Sequence, residues 1–82
     1  MIEVTLTVRG IGQLREPLGD MGVTIMCAPI AAAVLDQLQT QIPAITDLGG
    51  AVALATDTAY LAPDAAVHDG MQLVLIPPVS GG

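Results

Sequence analysis

The run MQLVLI, residues 71–76, constrains the fold more than any other stretch of the chain. If it forms a β-strand, Leu73 and Leu75 lie on one face and Val74 and Ile76 on the other. Strands that are apolar on both faces are normally buried on both sides. The sequence therefore predicts that each face of this strand packs against another part of the chain or against a partner protein.

The segments before this run predict a small sheet. MIEVTLTV at residues 1–8 alternates apolar and polar side chains, which is typical of a half-buried strand. VTIMC at 23–27 is expected to pair with it as a hairpin, across a Gly-rich loop at 9–22. Further strands are predicted at 49–56, 59–61 and 71–76.

One main helix is predicted between these strands. Apolar residues recur every four positions from about Pro29 to Gln41, and Pro43 ends the pattern. The order β-β-α-β-β-β indicates an α+β fold, in which a sheet of four to five strands is covered on one face by the helix. No repeat or linker divides the chain.

A single helix leaves one apolar face of the last strand without a cover. We expect this face to dock a partner protein. The alternation leaves open whether Leu73 with Leu75 or Val74 with Ile76 face away from the helix. The alternative is that a loop, such as residues 10–20, covers the strand.

The composition limits the chemistry available to the chain. Eight acidic residues, two arginines and no lysine give a net charge of −6, which disfavours nucleic acid and suits a basic protein partner. Cys27 and His68 are each the only residue of their type, so no Cys/His metal cluster or intramolecular disulfide is possible. Neither is expected to be catalytic, and Cys27 is predicted to be a small buried hydrophobic residue. No apolar run approaches the roughly 18–20 residues that cross a bilayer, which favours a soluble, cytoplasmic protein. We also expect no bound metal or cofactor.

The segment PPVSGG is the remaining candidate for a working part. Pro77 and Pro78 cannot donate backbone hydrogen bonds, so they stop the strand and favour an extended segment. From Val79 to Gly82 the chain can reach at most about 13–14 Å. A Gly-Gly end has no Cβ atoms and fits a narrow channel. The predicted organisation is a domain at 1–78 and a flexible tail at 79–82.

The chain resembles the ubiquitin-like sulfur carriers, and most of all the small subunit of molybdopterin synthase. An Asp-Gly turn at 69–70 precedes the last strand, and PPVSGG follows it. QLRE at 13–16 and PIAAAVLDQLQTQIPAI at 29–45 are similar to the family's segments after the first strand and along the helix.

The resemblance implies a ubiquitin-like β-grasp fold with a mixed sheet, and a defined cycle. A ubiquitin-activating type of enzyme would use ATP to adenylate Gly82, and a sulfur donor would convert it to a thiocarboxylate. The large subunit of molybdopterin synthase would then accept the tail in a heterotetramer, and the sulfur would build the dithiolene of the molybdenum cofactor. The chain itself would be a carrier subunit without an active site. The tail threaded into partners would be Val79, Ser80 and Gly81, and the docking residues would be Leu73, Leu75, Val74, Ile76, Pro77 and Pro78.

Three other functions stay open from the sequence, one of which is a plain interaction domain with a disordered tail. A related carrier could supply sulfur for thiazole, cysteine or a specialised metabolite. A ubiquitin-like protein modifier would instead join Gly82 to a target lysine.

Overall fold

The computed structural model describes residues 2–48 and 52–78, which form one four-stranded mixed sheet with a helix packed on one face. The strand order is β2-β1-β4-β3; β1 and β4 are parallel, and the other two pairs are antiparallel. This is the expected α+β architecture. The strands are β1 (Val4–Gly10), β2 (Val23–Cys27), β3 (Ala53–Ala55) and β4 (Gln72–Ile76), and the α-helices are α1 (Arg15–Leu18) and α2 (Ala31–Gln41), with 3₁₀ turns at Gly12–Leu14 and Pro43–Leu48.

Three local predictions need correction. The predicted loop at 9–22 contains the 3₁₀ turn and α1, because Leu14 and Leu18 are buried and hold this segment in helical turns. Helix α2 begins at Ala31, whereas the sequence predicted a start at Pro29. The predicted strand at 59–61 is reduced to a single bridge between Ala55 and Tyr60.

The start of α2 lies later because backbone groups of the loop after β3 take over its first hydrogen bonds. The N–H of Ala31 donates to the carbonyl of Ala65 and that of Ala32 to the carbonyl of Pro63, both at 2.9 Å. The first N–H groups of a helix have no partner within the helix. Here a neighbouring loop satisfies them instead of a side-chain cap, a contact between distant residues that no local pattern could indicate.

The core lies between α2 and one face of the sheet. Leu6, Val8 and Leu75 from the central strands are buried in one cluster with Val34 and Leu38 of the helix. Both buried leucines of the 10–20 segment join this same cluster, so the segment closes the core on the helix side rather than covering the opposite face.

The Asp69-Gly70 turn fixes the start of β4 against β1. Gly70 has a φ of 79°, a conformation that favours glycine, and its N–H donates to the carbonyl of Thr5 at 2.9 Å. The N–H of Thr5 in turn donates to Oδ1 of Asp69 at 2.6 Å. The turn signal read from the sequence is thus confirmed, and Asp69 has a structural role.

Candidate functional site

The two faces of β4 differ in burial, which decides between the alternatives left open by the sequence. Leu73 is 1% exposed and Leu75 is 0% exposed, and both belong to the core beneath α2. Val74 and Ile76 alternate with them and are half-buried on the opposite face. Leu73 and Leu75 are therefore wrong as docking residues, because a partner cannot reach them without unfolding the core.

The strand register defines the surface around Val74 and Ile76. Val74 lies between Arg9 of β1 and Ala55 of β3, and Ile76 lies opposite Ala53 of β3. We call these five residues the outer sheet face. Its centre is apolar and, apart from Arg9, uncharged. A shallow groove continues from it past Gln72 towards Thr56 and Asp57.

The base of the predicted tail is packed against the end of β1. The N–H of Ile11 donates to the carbonyl of Leu75 at 3.3 Å. At Gly12, where φ is 56°, a Cβ atom would lie 3.4 Å from Cγ of Pro77. Pro77 and Pro78 are half-buried at this point. Pro77 therefore lies beside Gly12 as the chain leaves β4, whereas the predicted tail residues Val79, Ser80, Gly81 and Gly82 lie outside the described residues.

Arg9 gives the outer sheet face a positive charge in an acidic chain. Its side chain is exposed and makes no hydrogen bond or ion pair within the described residues. The other arginine, Arg15, pairs with Asp20 at 3.2 Å between its Nε and the Asp20 Oδ1. Arg9 was missed as a site residue by sequence reasoning, although its alternation with Val8 could have placed it on the outer face.

Cys27 and His68 are not part of the outer sheet face, and neither side chain is placed for catalysis. Burial raises the pKa of the Cys27 thiol, and the negative charge of Glu3 raises it further. A protonated, buried thiol is a poor nucleophile. The side chain of the exposed His68 makes one hydrogen bond among the described residues, between its Nδ1 and the backbone carbonyl of Asp69 at 3.2 Å.

The described ranges, 2–48 and 52–78, hold neither a metal-binding cluster nor a membrane-spanning helix. No three of their His, Cys, Asp and Glu side chains come together as a metal-binding group. Their helices are also too short or too polar to cross a membrane.

The strand order β2-β1-β4-β3, with one helix packed on one face of the sheet, is a ubiquitin-like β-grasp arrangement. Residues 8–82 match the model of the ThiS family, and the chain belongs to that family of ubiquitin-like sulfur carriers. The expected family resemblance and fold are thereby confirmed.

Two solved structures have the same fold. The crystal structure of small archaeal modifier protein 1 from Haloferax volcanii has a TM-score of 0.75 and 24% identity, over 95% of this chain and 99% of that one. The solution structure of small archaeal modifier protein 1 from Methanosarcina acetivorans has a TM-score of 0.79 and 19% identity, over the full length of both chains. No curated protein sequence matches this chain.

Proposed function

We propose that the chain is a cytoplasmic sulfur carrier whose C-terminal Gly82 is activated and converted to a thiocarboxylate. An activating enzyme would join the Gly82 carboxylate to ATP, forming an acyl-adenylate and releasing pyrophosphate. A sulfur donor would then attack the acyl carbon and displace AMP. A carboxylate alone is a poor electrophile, so this activation must come from a partner.

The observation that carries the proposal is the family match, which extends through the Gly-Gly end of the chain. The hydrogen bond from the Ile11 N–H to the carbonyl of Leu75 supports it, because it fixes the end of β4 and a tail that leaves a fixed point can be aimed into an enzyme. The outer sheet face next to Pro77 supports a docking role, with Val74 and Ile76 as its apolar centre. Membership in this family favours a ubiquitin-activating type of enzyme as one partner.

For the destination of the sulfur, we propose molybdopterin synthase. The chain would be its small subunit, paired with a large subunit in a heterotetramer, and the sulfur would enter the dithiolene of the molybdenum cofactor. The PPVSGG end is the feature that favours this assignment over thiazole, cysteine or specialised-metabolite synthesis. Purifying the chain from its source and identifying the protein bound to it tests the assignment directly. Recovery of a thiazole-forming enzyme instead of a molybdopterin synthase large subunit would overturn it.

The tail chemistry has a sharper test in Gly81→Ile and in a variant that lacks Gly82. Isoleucine restricts the backbone and widens the chain, so it should block entry to an active-site channel. Loss of Gly82 withdraws the carboxylate by about 3.3–3.6 Å, more than a reacting group tolerates. Both variants should lose thiocarboxylate formation, with melting temperatures unchanged.

The assay incubates the protein with its activating enzyme, ATP and a sulfur donor, and measures the replacement of one oxygen by sulfur in the intact mass. Gly81→Ala is the matched control, because it adds one methyl group and should retain more activity than Gly81→Ile. Full conversion of both Gly81→Ile and the shortened variant would show that the Gly-Gly end is not the working part.

A second candidate is a ubiquitin-like protein modifier. The two structural neighbours carry the name small archaeal modifier protein, which favours this function at the level of fold. In that case the activated Gly82 would form an amide with a target lysine and release AMP. Protein adducts that form without any sulfur donor, and that are lost in the variant lacking Gly82, would support the modifier over the carrier.

A further inference from the structure

The two edges of the sheet are treated differently in this fold. Beyond β3, Tyr60 bridges to Ala55, and the N–H of Leu61 donates to the carbonyl of Leu54 at 2.8 Å. Beyond β2, no described segment makes a comparable bond. The edge of β2 therefore presents unpaired backbone groups, which are a template for another strand.

The register identifies which backbone groups these are. Thr7 and Ile11 donate their N–H groups towards the β4 side of β1, to Met71 at 3.1 Å and Leu75 at 3.3 Å. Since alternate residues of a strand bond in opposite directions, the even-numbered residues of β1 bond to β2. The bonded pairs between these strands are therefore Val4 with Cys27, Leu6 with Ile25, and Val8 with Val23.

It follows that Thr24 and Met26 direct their N–H and C=O groups to the free edge. Both side chains lie on the outer side of the sheet, and Met26 is 58% exposed. Natural edge strands are commonly protected by charged residues or proline. Neither occurs within β2, and no charged residue occurs anywhere from position 21 to 35.

We propose that β2 pairs with β2 of a second copy of this chain, antiparallel and about a two-fold axis at Ile25. In this register Thr24 lies opposite Met26 of the second copy, and Met26 opposite Thr24 of the second copy. Each of these two pairs can exchange both of its hydrogen bonds, as in an antiparallel ladder. The result is a continuous eight-stranded sheet in which the backbone N–H and C=O groups of Thr24 and Met26 are hydrogen-bonded in both copies.

The charge distribution allows a second copy to meet this edge without contact between like charges at residues 21–35. Two chains of net charge −6 repel each other, and this repulsion is weakest where the uncharged stretch at 21–35 meets its own copy. An antiparallel arrangement also places each end of β2 beside the opposite end of the partner strand. The charges that flank the two ends can then complement each other.

Arg9 and Glu3 provide that complementarity. Arg9 follows the last pair of the β1–β2 ladder, Val8 with Val23, and Glu3 precedes the first pair, Val4 with Cys27. A Cβ on Gly22 would lie 2.8 Å from Cγ of Arg9, so the arginine side chain passes close to the residue that precedes β2. In the antiparallel dimer, the end of one ladder that carries Arg9 lies beside the end of the other ladder that carries Glu3. The two β1 strands are three strand spacings apart, about 14 Å, so these opposite charges attract across the two β2 strands.

The dimer is tested first by concentration. The interface involves one short strand from each copy and belongs to the small, weak class, so association should be followed from micromolar to millimolar protein. Sedimentation equilibrium should show a monomer–dimer equilibrium. Amide exchange measured by NMR should slow with concentration at Thr24 and Met26, while Ile25 is protected throughout because it bonds to β1.

Variants then test the register. Met26→Lys should weaken dimerisation more than about tenfold, because it removes apolar contact from both copies and brings like charges together across the axis. Tyr60→Lys, at the opposite edge, is the matched control and should dimerise normally. Circular dichroism checks that both remain folded.

Charge reversal tests the pairing of Arg9 with Glu3. Arg9→Glu should weaken the dimer several-fold at low salt, because the new carboxylate at position 9 of each copy would repel Glu3 of the second copy, and the effect should fade as salt rises. Arg15→Glu changes the net charge equally and should have less effect. The double variant Glu3→Arg with Arg9→Glu should restore dimerisation. A chain that stays monomeric at millimolar concentration would overturn the proposal, as would amides at Thr24 and Met26 that become protected only when a different protein is added.

Discussion

A matched pair of substitutions on β4 tests the separation of core and docking face. Leu73 and Val74 are neighbours in sequence but lie on opposite faces, and Leu73 is 1% exposed while Val74 is half-buried. We expect Leu73→Asp to unfold the domain and Val74→Asp to leave it folded while abolishing binding of the activating enzyme. The two variants carry the same change in charge.

The magnitudes follow from burial. Removing a fully buried leucine side chain forfeits about 1.5–3 kcal/mol of transfer free energy, and an unpaired buried carboxylate adds several kcal/mol. A domain of this size has a total stability of roughly 4–12 kcal/mol. The cost of Leu73→Asp is therefore comparable with the whole stability. At Val74 the carboxylate keeps contact with water, and we expect a loss of about 1 kcal/mol from reduced packing.

Stability should be measured by urea unfolding followed by far-ultraviolet circular dichroism. Tyr60 is the only aromatic residue and is 72% exposed, so fluorescence would report folding poorly. Binding is measured on the folded variant by titration with the activating enzyme. A folded Leu73→Asp, or a folded Val74→Asp that binds as tightly as the unmodified chain, would refute the assignment of the two faces.

Two further changes test the roles assigned to Asp69 and Cys27. Asp69→Ala removes the acceptor for the Thr5 N–H and should lower the free energy of unfolding by about 1 kcal/mol. Asp69→Asn keeps an oxygen acceptor and should lower it less. Equal losses of the two variants in urea unfolding would contradict the hydrogen bond. Thiol reagents should label Cys27 only after unfolding, and stability should fall as pH rises past about 8.5, the ordinary thiol pKa, because the unfolded thiol ionises before the folded one. Fast labelling of the folded protein, or a flat stability from neutral to alkaline pH compared with Cys27→Ala, would argue against burial of this thiol.

Most of the fold could be predicted from the segments of the chain with a regular hydrophobic pattern. Strand β2 lies at the predicted residues, and α2 ends before Pro43 as expected, because alternation and proline act locally. The helical turns at 12–18 could not be predicted in this way. They exist because Leu14 and Leu18 reach a core formed by distant strands.

The sequence predicted that β4 forms part of the candidate site, but it did not predict which face of this strand points away from the core. The pattern of β4 is apolar on both sides, so the sequence could not tell Leu73 from Val74. The choice depends on where α2 packs, which is a tertiary property. The position of Gly12 beside Pro77 was missed for the same reason, since the two residues are far apart in sequence.

The position of β4 in the sheet explains how a docking face and a tail could act together. The strand is hydrogen-bonded to β1 on one side and β3 on the other, so its end cannot shift without breaking both ladders. Val74 and Ile76 therefore stand at fixed distances from Pro77, which lies two residues before the proposed tail at 79–82. A partner that binds the outer sheet face would hold Gly82 within roughly 13–14 Å of Pro78, which is the reach of the four extended residues 79–82. Binding at the face would then raise the effective concentration of the carboxylate at the partner's active site, without any change in the folded domain.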